Sequence, residues 1–444
     1  MNHPEDPFSF LVTPGGTLRG RLRVPGDKSI SHRAVILGAI AEGETRISGF
    51  LEGEDTLATL AAFRDMGVTI EVEKGGEVRI QGVGLRGLSA PSGPLYLGNS
   101  GTSMRLLSGV LAGQSFVSEL TGDPSLSRRP MGRVADPLNA MGADIATAND
   151  GRPPVRIRGG KALSGIDYAI PVASAQVKSC LLLAGLFATG RTCVQEPAPT
   201  RDHTERMLVG FGYPVEWTSN GVCIEGGNKL QGTQIVIPGD ISSAAFFLVG
   251  ASIAPGSDLI LEGVGVNPTR TGIISILRRM GAEITLSNQR TVGGELMADL
   301  QVRSQPLHGI EIPPDMVPLA IDEFPALFIA AAFAEGETTV TGAEELRNKE
   351  SDRIATMAKG LEKLGIDAKP TTDGMIIRGG APIGGRVASY GDHRIAMAFA
   401  VAGIGSRRPI FIEDCASVAT SFPSFPEVAS EVGLRIVADK EGSF

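Results

Sequence analysis

Six segments of the chain are apolar around nearly their whole helical circumference, for example SISHRAVILGAIA and EFPALFIAAAFA. A helix without a polar face has no side suited to water, so this pattern predicts six buried helices. Their first turns nevertheless carry polar or charged side chains. These turns lie at positions 28–29, 99–102, 174–176, 240–243, 322–323 and 392–394.

A second pattern recurs at intervals of about 70 residues. A glycine is followed by a short strand-like run, and then by a helix that begins with polar residues and stops at another glycine. The leading glycines are Gly43, Gly113, Gly190, Gly256, Gly336 and Gly405, and the terminating glycines are Gly67, Gly142, Gly212, Gly281, Gly365 and Gly433. The two patterns together predict an α/β protein built from six copies of one unit.

The repeats also predict the domain organisation. Three copies fall on either side of Gly239, close to the midpoint of the chain. The last copy is one strand short, whereas the run TLRGRLRVP before Lys28 has no copy of its own. We therefore expect residues 1–23 to complete a domain formed by residues 241–444, with residues 24–240 as the second domain. A double crossover of this kind predicts a hinge, with the active site in the cleft between the domains.

Composition and charge narrow the class of protein. The chain has 444 residues, of which 42% are hydrophobic and 20% charged, as in ordinary globular proteins. A net charge of -8 argues against a nucleic-acid partner. The longest apolar runs are too short to span a membrane, and the N-terminus has no secretory pattern, so we expect a cytoplasmic protein. The four cysteines show no spacing typical of zinc ligands or of a disulfide framework.

The polar residues at the starts of the buried helices have two interpretations. A short polar side chain before a helix usually caps it. Capping requires an acceptor, however, and several of these residues are hydrogen-bond donors. If the helices converge, their N-termini and these donors would bind a common anion. The donors are Lys28, Arg33, Gln176, Lys178 and Arg394.

Four motifs resemble ligand-binding sites, and for each the sequence allows a second interpretation. VPGDKSISHR lacks the spacing of a nucleotide-binding P-loop, and GVGLRG runs into a loop instead of a dinucleotide-binding helix. The arginines of LTGDPSLSRRPMGR, placed around Pro130 as a helix start, could bind an anion or only face solvent. NKESDRIATM could equally be a salt-bridged helix face. Three residues, Asp322, Glu350 and His393, have side chains that are suited to proton transfer.

The sequence contains no pattern typical of a metal site. The five histidines form no metal-binding motif.

These motifs identify the chain as similar to the 5-enolpyruvylshikimate-3-phosphate synthases along nearly its entire length. PGDKSISHR, LGNSGTSMR, RRPMGR, SAQVKS, IDEFP, KESDRI and GDHRIAM occur in the order of that family. The resemblance implies two inverse α/β domains, each of three βαβαββ repeats around buried helices. It also implies transfer of the enolpyruvyl group of phosphoenolpyruvate to shikimate 3-phosphate, without a cofactor or a metal.

The resemblance assigns roles to individual residues. It implies that shikimate 3-phosphate is bound by Lys28, Ser29, Arg33, Ser174, Gln176, Arg201, Asp322 and Lys349. For phosphoenolpyruvate, it implies Lys28, Asn99, Gly101, Thr102, Arg129, Gln176, Arg353 and Arg394. The catalytic residues it implies are Asp322, Glu350, Lys28 and His393.

One departure from the family concerns the C-terminal region. Relatives often carry a lysine before TFP, whereas this chain has Thr420 or Ser421 there, so one phosphoenolpyruvate contact is expected to be missing. Gly101 lies where alanine crowds glyphosate in insensitive relatives, which implies that glyphosate inhibits this chain in competition with phosphoenolpyruvate. We further expect a monomer that closes when substrate binds.

Two other functions remain as alternatives. The sister transferase acting on UDP-N-acetylglucosamine shares the repeats but usually carries a reactive cysteine in a mobile loop. No cysteine occurs in the corresponding region, residues 110–135. A non-catalytic hinged binding protein for phosphorylated ligands would explain the cations but would leave Asp322 and Glu350 without a role.

Overall fold

The computed structural model describes residues 8–439 and divides into two compact units. The N-terminal unit comprises Gly26–Pro238 with Thr291–Glu295. The C-terminal unit comprises residues 8–25, Gly239–Arg290 and residues 296–439. Residues 1–7 and 440–444, which the predicted domain limits include, lie outside the described residues.

Six helices are buried on almost every side, as their apolar composition predicts. In the N-terminal unit they are α1 (Lys28–Ile40), α3 (Gly101–Ala112) and α5 (Ala175–Gly185). In the C-terminal unit they are α7 (Ile241–Ile253), α9 (Phe324–Phe333) and α11 (His393–Ala402). All six begin at or directly after the polar positions found in the sequence, which confirms the predicted helix starts.

Six amphipathic helices alternate with the buried ones. They are α2 (Glu54–Asp65), α4 (Gly132–Ala140), α6 (His203–Gly210), α8 (Gly272–Arg279), α10 (Arg353–Lys363) and α12 (Phe425–Glu431). Each is followed by its predicted terminating glycine, with φ between 79° and 117°, where a side chain would be strained. The predicted start of α4 at Pro130 is two residues early, because Met131 donates its N–H to the carbonyl of Gly151 before the helix begins.

The N-terminal segment supplies two strands to the C-terminal half of the chain. Strand β1 (Ser9–Val12) lies between Ile410–Glu413 and Ile436–Asp439 and is antiparallel to both. Strand β2 (Arg19–Leu22) pairs in parallel with Asp258–Gly265. The run TLRGRLRVP thus supplies β2 to the sheet of β15, whereas the strand that lies in the sheet of the last repeat is β1, which precedes that run.

The N-terminal unit contains three four-stranded sheets of the same design. Their orders are β14-β3-β5-β4, β6-β7-β9-β8 and β10-β11-β13-β12, and in each the first pair is parallel while the others are antiparallel. The strands are β3 (Glu42–Ser48), β4 (Thr69–Glu73), β5 (Glu77–Val83), β6 (Leu95–Tyr96), β7 (Val117–Thr121), β8 (Asp144–Ala148), β9 (Arg152–Arg158), β10 (Asp167–Ala169), β11 (Arg191–Gln195), β12 (Glu216–Trp217), β13 (Gly221–Glu225) and β14 (Gln234–Val236).

The C-terminal half contains the other three sheets. Their orders are β16-β17-β15-β2, β18-β20-β19 and β21-β22-β1-β23. The strands are β15 (Asp258–Gly265), β16 (Glu283–Val292), β17 (Glu295–Arg303), β18 (Glu337–Val340), β19 (Asp367–Pro370), β20 (Met375–Arg378), β21 (Gly385–Ala388), β22 (Ile410–Glu413) and β23 (Ile436–Asp439). The six-fold repeat of strands and helices predicted from the sequence is thus present.

Each unit has a hydrophobic core of its own, formed by its three buried helices and the inner faces of its sheets. Helices α3 and α5 approach so closely that a Cβ on Gly109 would lie 2.2 Å from the carbonyl oxygen of Cys180. No helix within residues 8–439 has the length and apolar character needed to cross a membrane. GVGLRG begins with the last two residues of β5 and continues as a loop without a following helix, as predicted.

One expectation about the cysteines was wrong. Cys193 on β11 and Cys223 on β13 are directly opposite each other and form a disulfide, whereas Cys180 and Cys415 are buried free thiols. The pair is 30 residues apart in sequence, so no short motif reveals it. It is the register of two antiparallel strands that brings the two side chains together.

Candidate active site

Five of the buried helices begin with a short polar side chain that caps the helix, as the capping interpretation of these residues predicts. Each accepts a hydrogen bond from a backbone N–H two or three residues further along. These residues are Asp27, Ser100, Ser174, Asp240 and Asp392, with distances between 2.8 and 3.4 Å. Capping therefore accounts for Ser174, but it does not explain the hydrogen-bond donors beside these caps.

The first turns of α3 and α5 are joined by side chains. Gln176 donates from Nε2 to Thr102 Oγ1 at 2.9 Å and accepts a hydrogen bond from Arg105 Nη1. Arg105 is buried and was not predicted as a site residue. No short motif marks it, because its partner Gln176 lies 71 residues further along the chain, on another helix.

Arg129 lies against the loop that opens α3. A Cβ placed on Gly101 would be 2.6 Å from Arg129 Nη1 and 3.2 Å from Arg105 Nη1. The Gly101 N–H donates to the carbonyl of Asn99 at 3.0 Å, which holds the loop in a tight turn. The predicted loop residues and Arg129 are thus brought together, and glycine is the residue that leaves room for the guanidinium group.

Arg33 lies on α1, one turn after its start, and is buried. Its guanidinium donates to Ser29 O at 2.9 Å, Thr204 Oγ1 at 2.7 Å and Ser179 Oγ at 2.8 Å. Burial lowers the pKa of Arg33 to about 10; Glu205 opposes this change and the charge of Arg201 adds to it. Arg33 therefore remains cationic at neutral pH, while its hydrogen bonds fix the elements that surround the predicted ligand residues.

Lys28 and Lys178 have carboxylate partners. Lys28 Nζ forms an ion pair with Asp55 on α2 and keeps 18% of its side chain exposed. Lys178 is almost fully buried and pairs with Glu196 Oε1 at 2.6 Å and Glu205 Oε1 at 2.7 Å. Burial opposes the charge of Lys178, but the two carboxylates outweigh it and raise its pKa. Of these two donors, only Lys28 retains a surface that a ligand could contact.

In the C-terminal unit, three cations surround the carboxylate of Asp322. Lys349 Nζ lies 3.4 Å from Oδ1, Arg353 Nη1 lies 3.6 Å from Oδ1, and Arg394 Nη2 lies 4.0 Å from Oδ2. Arg394 also donates from Nη1 to the backbone carbonyl of Asp322 at 3.1 Å. Asp322 does not cap α9, because the capping position is taken by Glu323, which makes no side-chain cap.

Arg353 is the most constrained of these cations, with 1% of its side chain exposed. Its Nε lies 2.8 Å from Asp392 Oδ2, and its Nη2 lies 2.6 Å from Glu350 Oε2. Burial opposes the charge, but Asp392 and Glu350 outweigh it and raise the pKa of Arg353 above its ordinary value. Arg353 Nη1 has no hydrogen-bond partner among the described residues. Buried donors are rarely left in that state, so an anion could occupy this position.

The remaining predicted residues also lie in the C-terminal unit. His393 is buried in the first turn of α11, beside Arg394. Thr420, at the position where relatives often carry lysine, is buried and donates to the carbonyl of Ser417 at 2.7 Å. Ser421 Oγ is buried without a hydrogen-bond partner among residues 8–439. Neither hydroxyl supplies the positive charge of a lysine.

The predicted residues thus form two groups, one in each unit. The first contains Lys28, Ser29, Arg33, Asn99, Gly101, Thr102, Arg129, Ser174, Gln176 and Arg201. The second contains Asp322, Lys349, Glu350, Arg353, His393 and Arg394. Both groups combine helix N-termini with cations, which is suited to anionic ligands, and the second adds two carboxylates able to accept or donate protons.

A solved structure with low sequence identity has the same fold as this chain. The chain superimposes on the enolpyruvyl transferase NikO from Streptomyces tendae with a TM-score of 0.79, covering 98% of this chain and 99% of that one. At 17% identity, this likeness shows the fold alone. The fold of this chain is therefore similar to that of NikO.

Closer relatives identify the family. The family model for EPSP synthase (3-phosphoshikimate 1-carboxyvinyltransferase) matches residues 12–429. The 3-phosphoshikimate 1-carboxyvinyltransferase of Nitrosococcus oceani is 68% identical over 432 residues, 97% of each chain. That of Alkalilimnicola ehrlichii is 68% identical over 98% of each chain. The EPSP synthase structure from Acinetobacter baumannii is 58% identical with a TM-score of 0.89, covering 97% of this chain and all of that one. This chain belongs to the EPSP synthase family.

Proposed function

We propose that this chain transfers the enolpyruvyl group of phosphoenolpyruvate to the 5-hydroxyl of shikimate 3-phosphate and releases phosphate, without a cofactor. The match to the EPSP synthase family over residues 12–429 carries the proposal. It is supported by the two groups of cations, since both substrates carry several negative charges. The carboxylates of Asp322 and Glu350 supply the proton-transfer groups that this chemistry requires.

The reaction needs two steps that balance in protons. In the first, the 5-hydroxyl oxygen bonds to C2 of phosphoenolpyruvate and loses its proton, while C3 gains a proton. The product is a tetrahedral intermediate that still carries the phosphate. In the second step C3 loses a proton, the C2–C3 double bond forms again, and the C2–O bond to phosphate breaks.

Shikimate 3-phosphate is assigned mainly to the N-terminal unit. Its phosphate and carboxylate would be held by groups around the first turns of α1 and α5, where helix N–H groups and cations favour anions. Lys349 and Asp322 would complete the site from the C-terminal unit. The assigned residues are Lys28, Ser29, Arg33, Ser174, Gln176, Arg201, Asp322 and Lys349.

Phosphoenolpyruvate is assigned to the loop of α3 and to the arginines of the C-terminal unit. Support comes from Arg353, whose Nη1 is a buried donor without a hydrogen-bond partner among the described residues. A carboxylate or phosphate could accept a hydrogen bond from this Nη1 while Glu350 stays on Nη2. The assigned residues are Lys28, Asn99, Gly101, Thr102, Arg129, Gln176, Arg353 and Arg394.

Proton transfer is assigned to four residues. Asp322 takes the proton of the 5-hydroxyl, because its carboxylate lies beside three cations and 15% of its side chain is exposed. Glu350 delivers and removes the proton at C3, with Lys28 as a further candidate and His393 as a nearby helper. Because these residues belong to both units, catalysis requires both groups to act on the same pair of substrates, and we propose a closing motion upon binding.

Three further properties belong to this proposal. Glyphosate inhibits in competition with phosphoenolpyruvate, supported by the Gly101 loop. The chain acts as a monomer, as the resemblance to the family implies. It works in the cytoplasm, because its two substrates are phosphorylated anions that do not cross a bilayer unaided.

Phosphate release tests the function. Purified protein with shikimate 3-phosphate and phosphoenolpyruvate should release phosphate, and omission of either substrate should abolish the release. Release with UDP-N-acetylglucosamine in place of shikimate 3-phosphate would favour the sister transferase. Binding of both substrates without any release would favour a binding protein.

Glu350→Gln tests the assigned proton transfer at C3. We expect kcat to fall by about 100-fold or more, because general acid–base catalysis typically contributes that much. The matched control is Glu344→Gln, the same substitution at an exposed position six residues earlier. Full turnover in Glu350→Gln would remove Glu350 from the mechanism.

A further inference from the structure

A second charged cluster lies directly behind Asp322 and has no part in the chemistry described above. Arg270 Nη2 lies 2.8 Å from Ser242 Oγ and 3.4 Å from both Asp240 Oδ1 and Glu323 Oε1. Ser242 Oγ also donates to Glu323 Oε1. The cluster joins the first turn of α7, the segment before α8 and the residue before α9.

The members of this cluster are almost completely shielded from solvent. The exposed fraction of the side chain is 3% for Arg270 and 0% for Glu323. A buried charge is costly unless it is paired and hydrogen-bonded, so each member strongly restricts the positions of the others. The carboxylate of Glu323 is therefore held by Ser242 and Arg270, independently of any substrate.

The backbone just before α9 is also packed closely against the start of α8. Gly272 opens α8, and a Cβ on it would lie 2.7 Å from the carbonyl carbon of Leu319 and 2.9 Å from the nitrogen of Ala320. Asn267 Oδ1 accepts hydrogen bonds from the N–H of Thr269 at 2.9 Å and from its hydroxyl at 2.8 Å, which closes a turn just before Arg270. Residues 267–272 thus form a platform beneath residues 319–323.

Asp322 and Glu323 are neighbours in sequence with different surroundings. The Asp322 carboxylate lies among Lys349, Arg353 and Arg394, with 15% of its side chain exposed. The Glu323 carboxylate lies among Arg270 and Ser242. Because one peptide unit joins the two residues, a backbone shift at Glu323 also displaces Asp322 relative to its cations.

We propose that Glu323 and Arg270 are positioning residues for Asp322, and that the Asn267–Gly272 platform sets where the proton acceptor for the 5-hydroxyl lies. The inference rests on the proposed role of Asp322. Neither residue contacts the reacting atoms, so neither is a catalytic residue. A displacement of about 1 Å at a catalytic group can lower the rate by about 100-fold, so a contact behind Asp322 has a large effect on kcat.

The first experiment uses two conservative variants. Glu323→Gln keeps the side-chain length and an oxygen that accepts from Ser242, but removes the charge that faces Arg270. Ser242→Ala removes the hydroxyl that lies between the two. We expect kcat to fall roughly 10-fold to 100-fold in Glu323→Gln and by a smaller factor in Ser242→Ala. The KM values for both substrates should stay within about threefold, because the anion-binding cations are unchanged.

Helix α7 provides a matched control for Ser242→Ala. Ser252 is also a buried serine on α7, and its hydroxyl donates to the carbonyl of Leu248 at 2.7 Å. Ser252→Ala should keep the wild-type kcat. An equal loss of kcat in Ser242→Ala and Ser252→Ala would attribute the effect to helix stability and would overturn the inference.

A double-mutant cycle distinguishes positioning from an independent effect. Asp322→Asn removes the proton acceptor, so misplacing the residue should then matter little. We expect Glu323→Gln to change kcat less than twofold in the Asp322→Asn background. The same fold loss in both backgrounds would overturn the inference, as would a wild-type kcat in Glu323→Gln.

The same experiment separates this inference from the proposed mechanism. If Asp322→Asn keeps the full kcat, the role of Asp322 fails and the inference fails with it. If Asp322→Asn loses activity but Glu323→Gln does not, only the inference fails. Phosphate release by the wild-type protein is unaffected by either result, so the proposed reaction stands or falls separately.

A steric variant tests the platform without changing any charge. Gly272→Ala places a methyl group against the backbone of Leu319 and Ala320. We expect kcat to fall at least fivefold in folded protein, as judged by an unchanged far-UV circular dichroism spectrum, and the loss should vanish in the Asp322→Asn background. A wild-type kcat in folded Gly272→Ala would overturn the role of the platform.

Discussion

At the scale of single residues, Gly101 shows how one missing side chain shapes the anion site. A methyl group there would meet Arg129 Nη1 at 2.6 Å, and this guanidinium is the mobile end of a long side chain. We expect Gly101→Ala to fold normally and to displace Arg129. The glyphosate concentration for half-inhibition and the KM for phosphoenolpyruvate should each rise roughly tenfold, equivalent to about 1.4 kcal/mol.

The control for this variant is Gly132→Ala, since a Cβ at Gly132 has no atom closer than 3.8 Å. Steady-state kinetics with both variants at saturating shikimate 3-phosphate provide the measurement. An unchanged response to glyphosate in Gly101→Ala would contradict the assignment of Arg129.

His32 gives a prediction about pH at the same scale. It is fully buried, with Nδ1 at 2.8 Å from Thr59 Oγ1. Burial, followed by the charges of Lys28 and Arg33, lowers the pKa of His32 well below its ordinary value of 6.5. The unfolded chain therefore binds a proton near pH 6.5 that the folded chain does not bind until lower pH, so stability is lost as pH falls.

Removal of His32 should flatten this dependence. Between pH 6.5 and pH 5, we expect the free energy of unfolding of the wild-type chain to fall more steeply than that of His32→Gln, by up to about 1.4 kcal/mol per pH unit. Denaturant titrations at several pH values measure the difference. Parallel pH profiles would show that folding does not lower the pKa of His32.

At the scale of elements, Gly109 allows α3 and α5 to approach each other. A Cβ there would overlap the carbonyl oxygen of Cys180 on α5, so Gly109→Ala must push the helices apart. We expect a loss of about 1–3 kcal/mol in stability, as for other overpacked sites, and a weakened contact between Gln176 and Thr102. Thermal melting is the measurement. The neighbouring Ser108→Ala, which adds no volume, should cost less.

The cross-strand disulfide gives a second prediction for elements. Cys193 and Cys223 close a loop with a sequence separation of 30 residues, and constraint of the unfolded chain by such a loop stabilises by about 3–4 kcal/mol in the chain-entropy model. A reductant should therefore lower the melting temperature of the oxidised protein. The same reductant should have no effect on the Cys223→Ala variant. An equal shift in both proteins would show that the bond is not formed in solution.

At the scale of the whole molecule, the chain has two separate hydrophobic cores and two groups of proposed ligand residues, one in each unit. We expect calorimetry of the ligand-free protein to show two overlapping unfolding transitions. Shikimate 3-phosphate with glyphosate should raise both, because a ligand bound only by the folded state stabilises every unit that it contacts. A rise in one transition alone would limit the site to one unit.

The repeat could be predicted from the sequence because its signals are local. Buried helices lack a polar face, and glycine is strongly favoured where φ is positive, so both features are visible in the residues themselves. The motifs at the helix starts likewise named the candidate ligand residues.

The remaining features depend on residues that are distant in sequence. Arg105, the disulfide and the Arg270–Glu323 cluster each require the packing of separate elements, and no short pattern contains both partners. The sequence alone does not show whether Ser174 and Asp392 cap a helix or bind a ligand. Their hydrogen bonds from backbone N–H groups show that both are caps.

By itself, the sequence determined the six α/β repeats, the extra N-terminal strands and the family, because periodicity, turn chemistry and motif order are properties of a linear chain. Only the tertiary structure decided which charges are already paired inside the protein and which could meet a substrate. Ion pairs and strand register depend on distances of a few ångströms between remote residues, and those distances exist only after the chain has packed.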